Sequence, residues 1–91
     1  MRTHGAAVIA VGIFLSLTGA PALWWALVGL AVGLVLVAEM ANTAIETLAD
    51  HLHPGQHPEI GVVKDVAAGA VLVASLVAVV VGLAYVATLL G

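Results

Sequence analysis

Three carboxylates and an amide recur at helical spacing along one stretch of this chain: Glu39, Asn42, Glu46 and Asp50. At roughly 100° per residue, Asn42, Glu46 and Asp50 fall about 300°, 340° and 20° around a helix axis from Glu39. One narrow stripe therefore carries all three carboxylates, while Met40, Ala41, Ala44, Ile45, Leu48 and Ala49 keep the opposite face apolar or small. Acids on a solvated helix usually have Lys or Arg partners one turn away, and none is interspersed here. The stripe calls for a cation, supplied by a metal, by Lys64, or by both. The chemistry open to such a set is hard-cation binding, proton abstraction and the handling of an anionic substrate.

The elements that position this stripe belong in a membrane. Of 91 residues, 64% are hydrophobic and 8% charged, and the mean hydropathy is +1.26; soluble domains run near 45–50% and about 25%. The expectation is an all-α, polytopic membrane protein: a bundle of three transmembrane helices per chain, over about 4–18, 21–52 and 62–90, in one membrane-embedded domain spanning 1–91. A net charge of −3 with two Lys and Arg residues excludes a basic nucleic-acid footprint. The absence of cysteine excludes disulfides, thiolate zinc sites and thiol nucleophiles. Neither a Walker-type phosphate loop nor a Gly-x-Ser-x-Gly elbow is present.

Residues 5–17 are apolar but cover only about 20 Å as a helix, short of a hydrocarbon core of about 30 Å. A cleaved signal peptide is the rival reading, with Arg2 as its basic start and Ala20-Pro21-Ala22 as its small-residue site; the second apolar helix that follows at once argues against it. Thr18 to Pro21 break the chain, Pro21 suiting the first turn of the next helix. Gly29 and Gly33 form a Gly-x-x-x-Gly pair suited to close helix packing in lipid. Trp24 and Trp25 stand where interfacial aromatics are expected. Ala22 to Glu39 uses about 26 Å, so Glu39 arrives at the far interface, with Glu46 and Asp50 wetter. Residues 51–61 read as a polar turn whose His51, His53 and His57 are a solvated loop rather than a metal site, because a Pro-Gly loop offers no fixed ligand geometry. In the third helix Ala70, Ala74, Ala78 and Gly82 recur every four residues as a smooth contact face, and Tyr85 lies at the Trp24 end. Arg2 and Lys64 lie on one side, so the positive-inside rule puts Met1, the loop and all five acids in the cytoplasm.

A carboxylate stripe at that interface, with Lys64 and Asp65 entering the membrane beside it, suits transfer of a phosphoryl group to a lipid headgroup, since such catalysis is mostly positioning and charge neutralisation. Magnesium held by one or two carboxylates and phosphate oxygens removes the repulsion between the acids and a nucleotide such as ATP. A lipid hydroxyl lies level with Glu39, the candidate general base. Glu46 is then the candidate metal ligand, Lys64 the phosphate contact and Asn42 a positioning group; Asp50 and Asp65 are nucleotide-side or lysine-orienting groups. The bland alternative is that Glu39 and Glu46 merely pair with a neighbouring helix or end the span. Against it stands the cost of acids in a membrane, about 2.5–3.5 kcal/mol for a central Asp on the insertion scale.

Glu39-x-x-Asn42-Thr43-Ala44-Ile45-Glu46-x-x-x-Asp50, then His57-Pro58, then Lys64-Asp65-Val66-Ala67-Ala68-Gly69-Ala70-Val71 closely resembles the signature of the prokaryotic diacylglycerol kinase and undecaprenol kinase family. The resemblance implies a homotrimer of three-span subunits in the prokaryotic cell membrane, using MgATP to phosphorylate a lipid alcohol at cytoplasmic sites shared between subunits. By the family pattern Glu39 is the base, Glu46 a metal ligand and Lys64 a phosphate ligand, with Asn42, Asp50 and Asp65 in support. Undecaprenol is favoured over diacylglycerol as the acceptor by the His57-Pro58 and Asp65-to-Ala70 segments. Family members usually carry about thirty further residues in front, forming a surface helix whose glutamate joins Glu46 at the metal; here Arg2-Thr3-His4 matches the point where that segment meets the first span, and no acid precedes Glu39. Two other classes compete: a catalytically inactive or truncated assembly protein, and an ion-conducting ring subunit. The second would place its carboxylate mid-span, whereas Glu39 is followed by further acids and a polar loop.

Overall fold

The computed structural model describes residues 2–55 and 57–91, with side chains from residue 5 onward. The chain forms three helices: α1 Arg2–Thr18, α2 Ala22–Leu52 and α3 Pro58–Leu90. At 1.5 Å per residue α3 is about 50 Å long, and it runs the full length of a molecule measuring 51 × 22 × 16 Å. α2 and α3 pair as an antiparallel hairpin and make most of the interhelical packing. Both are long and apolar enough to cross a membrane, whereas the apolar part of α1, Gly5–Thr18, is shorter. Of the three expected spans, two therefore meet the length requirement.

The breaks follow from local chemistry. α1 ends where Gly19 takes φ 66°; its N–H donates to Ser16 O at 3.2 Å and that of Ala20 to Leu15 O at 3.0 Å, the paired bonds of a Schellman motif. Gly19→Ala puts a Cβ in the left-handed region at a cost of about 1–2 kcal/mol, expected as a lowered thermal midpoint in detergent. Pro21 stands one position outside α2, as its N-cap, and its carbonyl accepts from Trp24 and Trp25 N–H. The polar connection is shorter than 51–61: α3 begins at Pro58, four residues before the expected start, with His57 as an extended N-cap. The cause is Pro58 itself, whose ring suits the first helical position and disfavours helical backbone in the residue before it. Glu59 adds an acid in the first turn, where the helix dipole favours it.

The α2–α3 seam repeats by sevens. On α2 it runs through Ala31, Val35, Ala38, Asn42, Ile45 and Ala49, and on α3 through Ala67, Val71, Ala74, Ala78, Val81 and Tyr85, all buried or half-buried. This alternation of four and three is the pattern of left-handed helix pairs. The expected row at Ala70, Ala74, Ala78 and Gly82 holds only in part: Ala74 is buried and Ala78 half-buried, while Ala70 and Gly82 are exposed. A strict four-residue step drifts about 40° per step at 100° per residue and leaves the contact line. Gly29 and Gly33 are not used within the chain; nothing lies within 4 Å of a Cβ built on either.

α1 lies over the groove between α2 and α3 at one end. Its Phe14 meets Tyr85 edge-on at 6.0 Å between ring centroids, and Trp24 approaches the same ring at 5.3 Å. Tyr85 is 3% exposed, and its hydroxyl hydrogen-bonds Thr18 Oγ1, as a buried tyrosine requires. The expected gathering of Trp24 and Tyr85 at one end is thus found.

Candidate active site

The other end of the hairpin holds the acids. Along the seam, Leu36 and Ala78 line one cavity with Ala7 and Val8 of α1, so the first turns of α1 reach about this level. One turn nearer the loop, Glu39 stands half-buried on the flank of the seam. Beyond it, on the same flank, come Glu46 and Asp50, both exposed. Within the chain Glu39 is thus the most sheltered of the three acids.

Asn42 is a seam residue. Its amide nitrogen donates to Glu46 Oε1 at 3.4 Å, while its Oδ1 is buried without a donor. A buried amide oxygen left unpaired costs about 1–3 kcal/mol, so the position favours whatever brings it a cation or a donor. Lys64 extends from α3 across the groove and its Nζ donates to Asp50 Oδ1. The Lys64 side chain is 35% exposed and that of Asp50 67%, so solvent screening leaves the pair well under about 1 kcal/mol of stability. Its consequence is geometric: it holds the ammonium group at the Asp50 end of the acidic stripe.

Four of the six residues singled out by spacing are thus joined in two pairs, Asn42 with Glu46 and Asp50 with Lys64, and Glu39 shares their flank. Asp65 is exposed and makes no hydrogen bond or ion pair among the described residues. No group of three or more His, Cys, Asp or Glu able to hold a metal occurs among the described residues. A magnesium ion, which takes one or two carboxylates and completes its shell with phosphate and water oxygens, asks for less than that. The Glu46 carboxylate beside the orphaned Asn42 oxygen fits it.

Outward from Lys64 the groove widens into a polar concavity of about 480 Å³ lined by Gly55, His57, Pro58, Ile60, Gly61 and Lys64. Gly55, at φ 96°, turns the chain above it. His57 had been expected in a solvated loop; it is exposed, but it borders this concavity, and its ring meets that of His53 at 5.5 Å. The sequence signal for its position is Pro58, which makes His57 a helix cap rather than a loop residue.

A hairpin of two apolar helices of membrane-spanning length, a shorter apolar helix beside it, and acids facing a lysine at one end define an all-helical membrane protein. The chain belongs to the prokaryotic diacylglycerol kinase family, whose model matches residues 1–86, and this is a family of lipid kinases. It is 36% identical over 80 residues to the undecaprenol kinase of Bacillus subtilis, covering 88% of this chain and 65% of that protein. It is 41% identical over 83 residues to a diacylglycerol kinase of Synechocystis, covering 89% of this chain and 47% of that protein. The chain thus spans just under two thirds of one relative and about half of the other. No solved structure matches it significantly.

Proposed function

We propose that this chain is a lipid kinase that transfers the γ-phosphoryl group of ATP to a membrane lipid alcohol, undecaprenol or diacylglycerol, with Mg²⁺. The observation that carries the reading is the single groove flank along which Glu39, Glu46, Asp50 and Lys64 follow one another from the apolar region outward. A lipid hydroxyl enters from the bilayer and meets Glu39 first. A nucleotide enters from water, where the concavity is bordered by Lys64, the partner of Asp50. The acceptor oxygen forms a bond to the γ-phosphorus as the bond to the β–γ bridging oxygen breaks, and the acceptor proton passes to Glu39. Lys64 binds phosphate oxygens, Asp50 orients Lys64, and Asn42 holds Glu46. Glu46 and Asn42 would hold the metal, which supplies charge neutralisation between the acids and the nucleotide. Asp65 is assigned to the nucleotide side.

α1 is read as the third span, accommodated by local thinning of the bilayer and snorkelling of its flanking residues, with Met1 and the α2–α3 loop on the cytoplasmic face of the cell membrane. A homotrimer with sites shared between subunits is supported by the apolar surface left open, including Leu30 at 72% exposure. The names of the two relatives keep both acceptors in play. Membranes containing the full chain, supplied with γ-labelled ATP, Mg²⁺ and both alcohols, are expected to label one extracted lipid well above the other. Label in neither lipid, with the protein folded in the membrane, overturns the reading.

A further inference from the structure

Between Lys64 and Tyr85 the apolar run of α3 contains one hydroxyl, that of Ser75. Hydroxyls in apolar helices normally bond a carbonyl in the preceding turn, and three here do so: Ser16 to Gly12 O, Thr18 to Phe14 O and Thr88 to Tyr85 O. Ser75 is half-buried and makes no such bond among the described residues.

Its place follows from the register of the hairpin. The Asp50–Lys64 pair fixes one rung between α2 and α3. Glu39 lies eleven residues before Asp50, and Ser75 eleven residues after Lys64. Eleven residues are about three turns, so each side chain returns to within about 20° of the face of its partner in the rung, about 16 Å deeper. Ser75 therefore stands to Glu39 as Lys64 stands to Asp50. The cavity shared by Leu36 and Ala78 gives the same answer independently, since Glu39 and Ser75 are each three residues nearer the loop. Level with the acidic stripe, α3 thus carries an ammonium group at the loop end, paired with Asp50, and a neutral hydroxyl at the level of Glu39.

We infer that Ser75 binds and orients the acceptor alcohol. Its Oγ–H donates to one lone pair of the acceptor oxygen while the acceptor's own proton points at Glu39, leaving the other lone pair for phosphorus. No proton is gained or lost by Ser75. The inference rests on the kinase reading and adds a residue to it.

The test is steady-state kinetics of the full chain in bilayers, varying the lipid alcohol and MgATP separately. Ser75→Ala is expected to lower kcat/KM for the lipid alcohol about three- to tenfold, the weight of one hydrogen bond, with the KM for MgATP and the thermal midpoint unchanged. Ser75→Thr, which keeps the hydroxyl, is expected to stay within about twofold of the parent by the same accounting. Ser75→Ala with parental kinetics overturns the inference and leaves the kinase reading standing. Equal losses for both substrates, or a lowered thermal midpoint shared by both variants, overturn it in favour of a packing role. A parent chain that phosphorylates no lipid removes the kinase reading, and the role of Ser75 falls with it.

Discussion

Glu39→Gln is expected to lower kcat for lipid phosphorylation by about 10²–10⁴-fold, the contribution of a positioned general base, in a protein that still folds and inserts. The substitution preserves shape and most hydrogen-bonding capacity and removes only the ability to take a proton. Glu39 is half-buried on the seam flank, one turn from the open cavity that α1 helps to line, which is where a hydroxyl anchored in the bilayer would arrive. Because the loss lies in the chemical step, the KM values for lipid and MgATP should change little. The measurement is single-turnover transfer of labelled phosphate at saturating substrates, with the thermal midpoint as a control for folding. An unchanged rate would assign the proton acceptor elsewhere. A parent no faster than the variant would support the inactive assembly protein instead.

Removing the ammonium group at the other end of the stripe should have the next largest effect. Lys64→Met keeps the length and apolar stem of the side chain and deletes the cation, and a fall in kcat/KM for MgATP of about 10²–10³-fold is expected from losing one preorganised contact to the transferring phosphate. Stability should be nearly unaffected, because Asp50 is 67% exposed and remains solvated when its partner is gone. Asp50→Asn is the comparison that separates charge from orientation. It leaves the ammonium group in place and frees its direction, so a loss of only about threefold to tenfold is expected, in line with a surface pair worth about 1 kcal/mol or less. Losses of equal size for Lys64→Met and Asp50→Asn would mean that the pair acts as a unit and that Lys64 makes no phosphate contact of its own.

The amino-acid sequence determined a good deal by itself. Its composition demands a membrane, and Gly19 and Pro21 end one helix and start the next. The spacing of Glu39, Asn42, Glu46 and Asp50 puts them on one side of α2, and the resemblance carried by those residues agrees with the family that matches residues 1–86. Pro58 was legible too, yet the run of polar residues around it drew the third helix four residues too short.

What the tertiary structure alone decided is how each helix is rotated against its neighbour. In a soluble protein the buried face is the apolar one and can be read from the chain; in lipid the outward face is equally apolar, so Ala70 and Ala74 look alike in sequence although one is exposed and the other buried. Only the seven-residue seam assigns Asn42 to the contact line, leaves Gly29 off it, and makes Asp50 the neighbour of Lys64. The rung formed by that pair brings Ser75 level with Glu39, a relation between two helices that the periodicity of either one cannot contain.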